Sequence, residues 1–287
     1  MTRAPFFSCR GQTLYLGDAY EVLKELPDES VQVILTAPPY HASQSLGRGT
    51  WIGGDPSCDH KQPSRSNCTK CGATCAENDA SRYSEVEDYV ANLVTILAEG
   101  RRVLKNDGVM WLQSGDFYSD GTGLPVKNLY GTPWRLALAL QRDGWILRSD
   151  IIWEHSNLVT RASNDRPSRS HDYLFLFSKQ ERYQFNARAI REDMLHPRTI
   201  WRIPSESKPE GYDYSTLPQH LVAKCLQAST LVDDTILDLF AGSATVGVVA
   251  VQLNRNSINV ELNPEYIEAA KRRLERTIQA LDKKSDA

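Results

Sequence analysis

Apolar residues in this chain come in short blocks divided by turn-forming residues, and the blocks alternate between two periods. Compact apolar or β-branched runs occupy 12–16, 31–35, 108–113, 145–153, 173–177, 236–240 and 257–261, each of strand length. Between them, 19–26, 84–104, 134–142, 217–228, 246–253 and 263–281 read as helices. In 84–104, Tyr89, Leu93, Ile96, Leu97 and Val103 fall near one face. Asp18 is placed to cap the first helix, and Asn263-Pro264-Glu265 joins a capping residue, a first-turn proline and an acid. Strands alternating with helices predict an α/β fold. The 287 residues suffice for one large α/β domain or two small ones, and 41% hydrophobic content allows a sizeable core.

One segment breaks the pattern. Residues 41–82 have no convincing period and are rich in Gly, Ser, Asn and Pro. An irregular loop of that length is unusual in a compact domain unless it is functional, disordered or cross-linked. Here it contains Cys58-Asp59-His60, then Cys68-Thr69-Lys70-Cys71-Gly72, then Cys75. Cys-x-x-Cys-Gly has the form of a zinc-knuckle turn, and thiolates with one imidazole suit tetrahedral zinc. Cys58, His60, Cys68 and Cys71 are the expected ligands of a structural zinc, with Cys75 able to replace one of them. Reduced thiols or a disulfide are the rival readings.

Two strand ends carry the candidate chemistry. The run 236–240 leads into Ala241-Gly242-Ser243-Ala244-Thr245, a small-residue turn before a helix, and the next strand ends on Glu261. A strand, a tight turn and a helix start form a ligand crevice, where an acid one strand away can accept from ribose hydroxyls. The alternative is a βαβ unit with a flexible turn. The strand 31–35 ends in Thr36-Ala37-Pro38-Pro39-Tyr40. Two prolines stiffen that loop and remove two N–H donors, so it offers carbonyls and an aromatic ring; a structural turn is again the alternative.

Charge and composition narrow the classes. The net charge of −3 gives no global nucleic-acid signature, but 161–208 carries ten Lys/Arg against six Asp/Glu. A local basic face or a solvated mixed face both fit that asymmetry. The N-terminus lacks the apolar run of a secretory signal, and no stretch has the length and apolarity of a membrane span. Six cysteines in 287 residues, four of them crowded together, favour metal over disulfides and a reducing compartment.

Together, the strand-end Pro38-Pro39-Tyr40 and the distant Asp238-Leu239-Phe240-Ala241-Gly242-Ser243-Ala244-Thr245 resemble the S-adenosylmethionine-dependent DNA amino-methyltransferases. The order of the two motifs is similar to that family's circularly permuted β class. Leu16-Gly17-Asp18-Ala19, Arg102-Val103-Leu104-Lys105-Asn106-Asp107-Gly108, the stretch 165–179 and Leu217-Pro218-Gln219-His220 resemble further family segments. Trp51-Ile52-Gly53-Gly54-Asp55-Pro56 with its Cys/His cluster is similar to one phage and bacterial branch. The resemblance covers about residues 12–275.

That resemblance implies a Rossmann-like, doubly wound, mixed seven-stranded sheet, circularly permuted, with a Cys/His loop insertion. It divides the chain into a catalytic half (1–40 and 84–180), a zinc loop (41–83), a target-recognition segment (181–215) and a cofactor half (216–287). S-adenosylmethionine would be lined by Asp18, Thr36, Leu217, Pro218, Asp238, Phe240, Gly242, Ser243, Thr245, Glu261 and Asn263. Ala37, Pro38, Pro39 and Tyr40 would form the catalytic loop holding a flipped base. Arg161, Arg166, Arg169, Arg198 and Arg202 would contact double-stranded DNA. A homodimer and a cognate restriction endonuclease are further partners the resemblance suggests, in a bacterial or phage-infected cytoplasm.

Cytosine-C5 methylation needs a nucleophilic cysteine, typically after proline, and no Pro-Cys pair occurs. Position 37 departs from the family, which has Asp, Asn or Ser there. Ala37 cannot touch the amino group, and it erases the clue that separates adenine-N6 from cytosine-N4; the loop resemblance favours cytosine-N4. A catalytically impaired DNA-binding protein is the rival of another class, and an RNA or small-molecule methyltransferase is a third. A second departure is Ala244, where the family usually has Gly.

Overall fold

The computed structural model describes residues 3–40, 51–55, 57–58, 67–75, 86–119, 121, 124–156, 164–192, 195–207 and 216–285. Strands β1 (Phe7–Cys9) and β2 (Gln12–Leu16) form an antiparallel pair, followed by α1 (Ala19–Glu25) and β3 (Val31–Thr36). Two-residue strands β4 (Trp51–Ile52) and β5 (Thr74–Cys75) pair with each other. Next come α2 (Val86–Val103), β6 (Leu104–Ser114), α3 (Thr132–Arg142), β7 (Ile146–Glu154) and β8 (His171–Ser178). A 3-10 turn at Ala187–Ile190 precedes β9 (Ile200–Arg202). The chain closes with α4 (Gln219–Ser229), β10 (Thr235–Asp238), α5 (Thr245–Gln252), β11 (Asn256–Glu261) and α6 (Pro264–Ser285).

Among the described residues, one mixed sheet of nine strands runs β1-β2-β11-β10-β3-β6-β8-β7-β9. The expected seven strands are its inner seven. β1 and β9 are three-residue edge strands, too short to leave a periodic trace, so the expected strand count is corrected from seven to nine. β2, β11, β10, β3 and β6 are mutually parallel; β8 is antiparallel to both β6 and β7.

The middle of the sheet is buried on both faces, which is why β3 reads as an unbroken apolar run with every position buried. On one face α1, α2 and α3 bury Leu23, Leu93, Ile96, Leu97 and Leu136 against Ile34, Met110 and Phe175. On the other, α4 and α5 cover Val33, Leu35 and Trp111 with Leu221, Val222, Cys225 and Val249, while α6 and α5 enclose Leu14. Truncating a side chain such as Ile34, which is 0% exposed, costs about 2–5 kcal/mol.

The Lys105-Asn106-Asp107-Gly108 stretch, which stops helix 84–104 as expected, is itself strand. α2 passes directly into β6, and a register shift between Val31 and Val33 absorbs the extra residues. A Cβ at Gly108 would meet the Gln32 carbonyl oxygen at 2.8 Å, so only glycine fits against β3 there. Among the described residues, no helix is long and apolar enough to cross a membrane.

Candidate active site

Parallel pairing places the carboxyl ends of β2, β11, β10, β3 and β6 along one edge of the sheet. Ligands of open α/β sheets bind outside such an edge. Antiparallel β8 brings its amino end, His171 and Asp172, beside the carboxyl end of β6, and β7 and β9 finish there with Glu154 and Arg202.

The first half of this edge is built from acids and turns. Thr36 donates its hydroxyl to Asp238 Oδ1 at 2.8 Å and accepts from the Leu239 N–H, tying β3 to β10. The Phe240 N–H also donates to Asp238 Oδ1 at 3.2 Å. Glu261 receives the Gly242 N–H on one oxygen and the Asn263 N–H on the other, both at 2.7 Å. Burial pushes the Asp238 carboxyl up to about 7, against the Thr36 hydroxyl. Burial also pushes Glu261 up to about 7, opposed by the Asn263 and Gly242 N–H groups. Gly242 and Ala244 turn through positive φ, 51° and 55°. For Ala244 that conformation costs about 1 kcal/mol relative to glycine; the residue is 0% exposed and packs in the cluster beneath α5 and α6.

The remaining cofactor candidates surround this pair. Asp18 caps α1 by accepting from the Glu21 N–H at 3.1 Å, and the Gly17 N–H donates to the Glu261 carbonyl. Ser243 and Thr245 are buried, and both hydroxyls accept from Arg273 Nη1 of α6, at 3.0 and 2.7 Å. Their side chains therefore brace the turn against α6. Asn263 accepts from the Glu265 N–H to start α6. Buried Pro218 precedes α4, with Leu217 half-buried before it, and Glu206 accepts from the Gln219 N–H at 2.8 Å.

The second half holds the proline loop. Ala37 and Pro39 are half-buried, Pro38 is buried, and the Tyr89 hydroxyl donates to the Pro39 carbonyl at 3.0 Å. Tyr40 is half-buried, packs on Phe117 with ring centroids 5.3 Å apart, and donates its hydroxyl to Asp172 Oδ2 at 3.2 Å. Burial pushes the Tyr40 hydroxyl well above its usual value, and the Asp172 charge adds to the shift. Gln113 Nε2 reaches both Tyr40 Oη and Asp172 Oδ2. Gln113, Asp172, His155 and Arg273 carry no sequence pattern of their own that marks them as site residues. Asp172 lay within the family-like stretch 165–179, but a strand-end acid gives no sign of which ring it meets.

The basic candidates divide. Arg169 turns inward, 3.6 Å from both Asp116 and Asp172. Arg166 pairs with Asp165 at 2.6 Å and lies over the Tyr118 ring. Arg198 is exposed, and exposed Arg202 pairs with Glu154 at 3.0 Å. Arg161 lies outside the described residues, as does His60. The other three expected metal ligands, Cys58, Cys68 and Cys71, bring their sulfurs within 4.8 Å of one another. Backbone N–H groups of Cys71 and Lys70 lower the Cys68 thiol from its usual value. Gly54 is pressed against this cluster, since a Cβ there would meet Cys71 Sγ at 2.7 Å.

A family model described as DNA methylase matches residues 31–272. Type II methyltransferase M.Cfr9I of Citrobacter freundii is 37% identical over 92% of this chain and 88% of its own length. Type II methyltransferase M.SmaI of Serratia marcescens is 33% identical, over 93% and 91%. Among solved structures, the cytosine-N4-specific PvuII DNA methyltransferase superposes with a TM-score of 0.71 at 20% identity, covering 96% of this chain and 93% of that one. M1.HpyAVI in complex with SAM gives a TM-score of 0.60 at 21% identity, covering 91% and 98%.

Proposed function

We propose that this chain, which belongs to the DNA methylase family, transfers a methyl group from S-adenosylmethionine to the exocyclic N4 of cytosine in double-stranded DNA. The carrying observation is the pairing of two strand ends. β3, leading to Pro38 and Tyr40, and β10, ending at Asp238 before the Gly242 turn, are parallel neighbours. An amino-acceptor loop and a nucleoside crevice thereby open side by side.

The residues fit the cofactor. Asp238 and Glu261, buried on adjacent strands and both held near 7, suit a ligand that brings hydroxyls and a positive charge. When bound, S-adenosylmethionine supplies an electron-poor methyl carbon on a sulfonium. Glu261 would accept from the ribose hydroxyls, Asp238 and Phe240 would flank the cofactor, and Leu217 and Pro218 would lie toward its methionine end. Asp18, Thr36, Gly242 and Asn263 shape the walls, with Ser243 and Thr245 braced behind.

The chain's work on the base is positioning. An exocyclic amino nitrogen is a weak nucleophile because its lone pair is delocalised into the ring. The Pro38 carbonyl accepts its N–H and draws the nitrogen toward a tetrahedral shape. The Tyr40 ring stacks on the base, which is flipped from the duplex to reach it. Orientation and fixed dipoles then lower the barrier. Arg166, Arg198 and Arg202 serve the phosphate backbone with Arg161, so binding falls steeply with salt.

Cytosine is favoured over adenine by the fold shared with the PvuII enzyme, named cytosine-N4-specific, and by the resemblance of the loop at Trp51. Mass spectrometry of nucleosides from DNA treated with the protein checks this. N4-methylcytosine is expected, and N6-methyladenine alone sinks the choice. Half-buried Ala37 motivates a second reading, an impaired DNA-binding protein; tight cofactor binding with no transfer to any DNA supports that one. The Type II relatives suggest a restriction–modification setting, with a cognate endonuclease in the same cytoplasm.

The sulfur cluster of Cys58, Cys68 and Cys71 supports a structural zinc, with His60 as fourth ligand. Elemental analysis should find one zinc per chain and none in Cys68→Ser. Metal-free wild type refutes the site.

A further inference from the structure

We infer that Asp172 is a positioning residue for methyl transfer: its carboxylate anchors the Tyr40 hydroxyl and so fixes the plane of the ring that receives the target base. The inference rests on the reading of Tyr40 as the base-stacking ring.

Three donors from three elements converge on one oxygen, Asp172 Oδ2. They are Tyr40 Oη from the loop after β3, Gln113 Nε2 from β6 and His155 Nε2 just after β7, each at 3.2 Å. With its ring proton on Nε2, His155 accepts at Nδ1 from Ser205 Oγ at 3.1 Å. The imidazole also packs on Trp153, ring centroids 4.2 Å apart, so it has little freedom to turn. The second Asp172 oxygen faces Arg169 at 3.6 Å.

The site is only partly wet. Side-chain exposure is 18% for Asp172 and 11% for His155. A carboxylate satisfied this fully inside a protein is a rigid anchor. The ring of Tyr40 is seated as closely as its hydroxyl. A Cβ on Gly115 would meet Tyr40 Cε2 at 2.8 Å and Asp172 Oδ1 at 2.9 Å. A purely structural network needs no such convergence on the one aromatic ring of the catalytic loop. Arg169 could neutralise Asp172 without Tyr40, and Gln113 could satisfy it.

The test uses the full chain carrying 3-fluorotyrosine at position 40, together with methyl transfer to DNA from an unmethylated host. Asp172→Ala should shift and broaden the fluorine resonance. It should lower kcat about tenfold and change KM for DNA and cofactor affinity less than twofold. Asp172→Asn keeps an acceptor oxygen and should recover part of the loss. Tyr40→Phe should show a similar loss, and Tyr40→Phe/Asp172→Ala should be no slower than Tyr40→Phe alone within twofold. An unmoved fluorine signal overturns the inference. So does an unchanged kcat in Asp172→Ala, or a double variant whose loss is the product of the singles. Wild-type protein that methylates no DNA overturns the function proposed above, while the fluorine signal still decides whether Asp172 anchors Tyr40.

Discussion

The loops after β3 and β10 leave neighbouring parallel strands at the same level of the sheet, yet they are built in opposite ways. The β10 turn is rich in N–H donors and bends through positive φ at Gly242 and Ala244. Those donors are gathered by the carboxylates of Asp238 and Glu261, leaving a crevice dominated by buried acid. The β3 loop lacks N–H donors at Pro38 and Pro39, so it offers carbonyls and a ring. Its support comes from side chains far away in sequence, Tyr89 under Pro39 and Asp172 with Gln113 on Tyr40. One loop is shaped by its own backbone and adjacent acids; the other is held from across the fold. A cofactor site can be local, whereas a base-holding ring needs an external brace.

That contrast can be broken from either side. Tyr40→Ala should have the largest effect, lowering kcat about a hundredfold or more with cofactor affinity unchanged, as read by radiolabelled methyl transfer and calorimetry. Equal losses in both measurements would erase the distinction between the loops. Glu261→Gln should do the reverse, weakening S-adenosylmethionine about tenfold or more while leaving DNA affinity in place.

The same carboxylate gives the pH dependence. Ionised, Glu261 is a stronger acceptor with both oxygens free of a proton, whereas protonation turns one of them into a donor, and burial raises the carboxyl to about 7. Cofactor affinity should therefore fall roughly tenfold from pH 8 to pH 6 in wild type, and much less in Glu261→Gln. The sign for folding is opposite. The folded state of the free protein keeps these protons on Asp238 and Glu261 up to about 7, whereas the unfolded chain releases them near its ordinary carboxylate values. Stability of the free protein thus declines as pH rises between those values, as thermal melts at pH 5 and pH 8 would show. The smallest effect is expected at position 37. Ala37→Ser or Ala37→Asp should raise methyl transfer several-fold by adding a second contact to the amino group; no gain in either means that the Pro38 carbonyl suffices.

Much of the scaffold was legible in the chain. Short apolar runs located all seven inner strands, and Asp18 and Asn263 marked their helix starts, because period, length and capping are local properties. β1 and β9 escaped because three residues at a sheet edge carry no period. The direct passage from α2 into β6 escaped because Lys105 to Gly108 looks like a helix stop until the register against β3 is known. Asp238, Gly242, Glu261 and the Pro38–Tyr40 loop stood out by pattern. Asp172, Gln113, His155 and Arg273 did not, because their meaning lies in whom they meet.

The sequence by itself therefore determined the α/β alternation, the two strand-end loops and the spacing of Cys58, Cys68 and Cys71, all set by residues close along the chain. Only the tertiary structure decided that β3 and β10 lie side by side, that Ser243 and Thr245 turn to Arg273, and that Tyr40 ends on Asp172. The physical reason is range. Backbone preferences and hydrophobic period act over a few residues, whereas the 132-residue separation of Tyr40 and Asp172 is bridged only when β3, β6 and β8 pair in register.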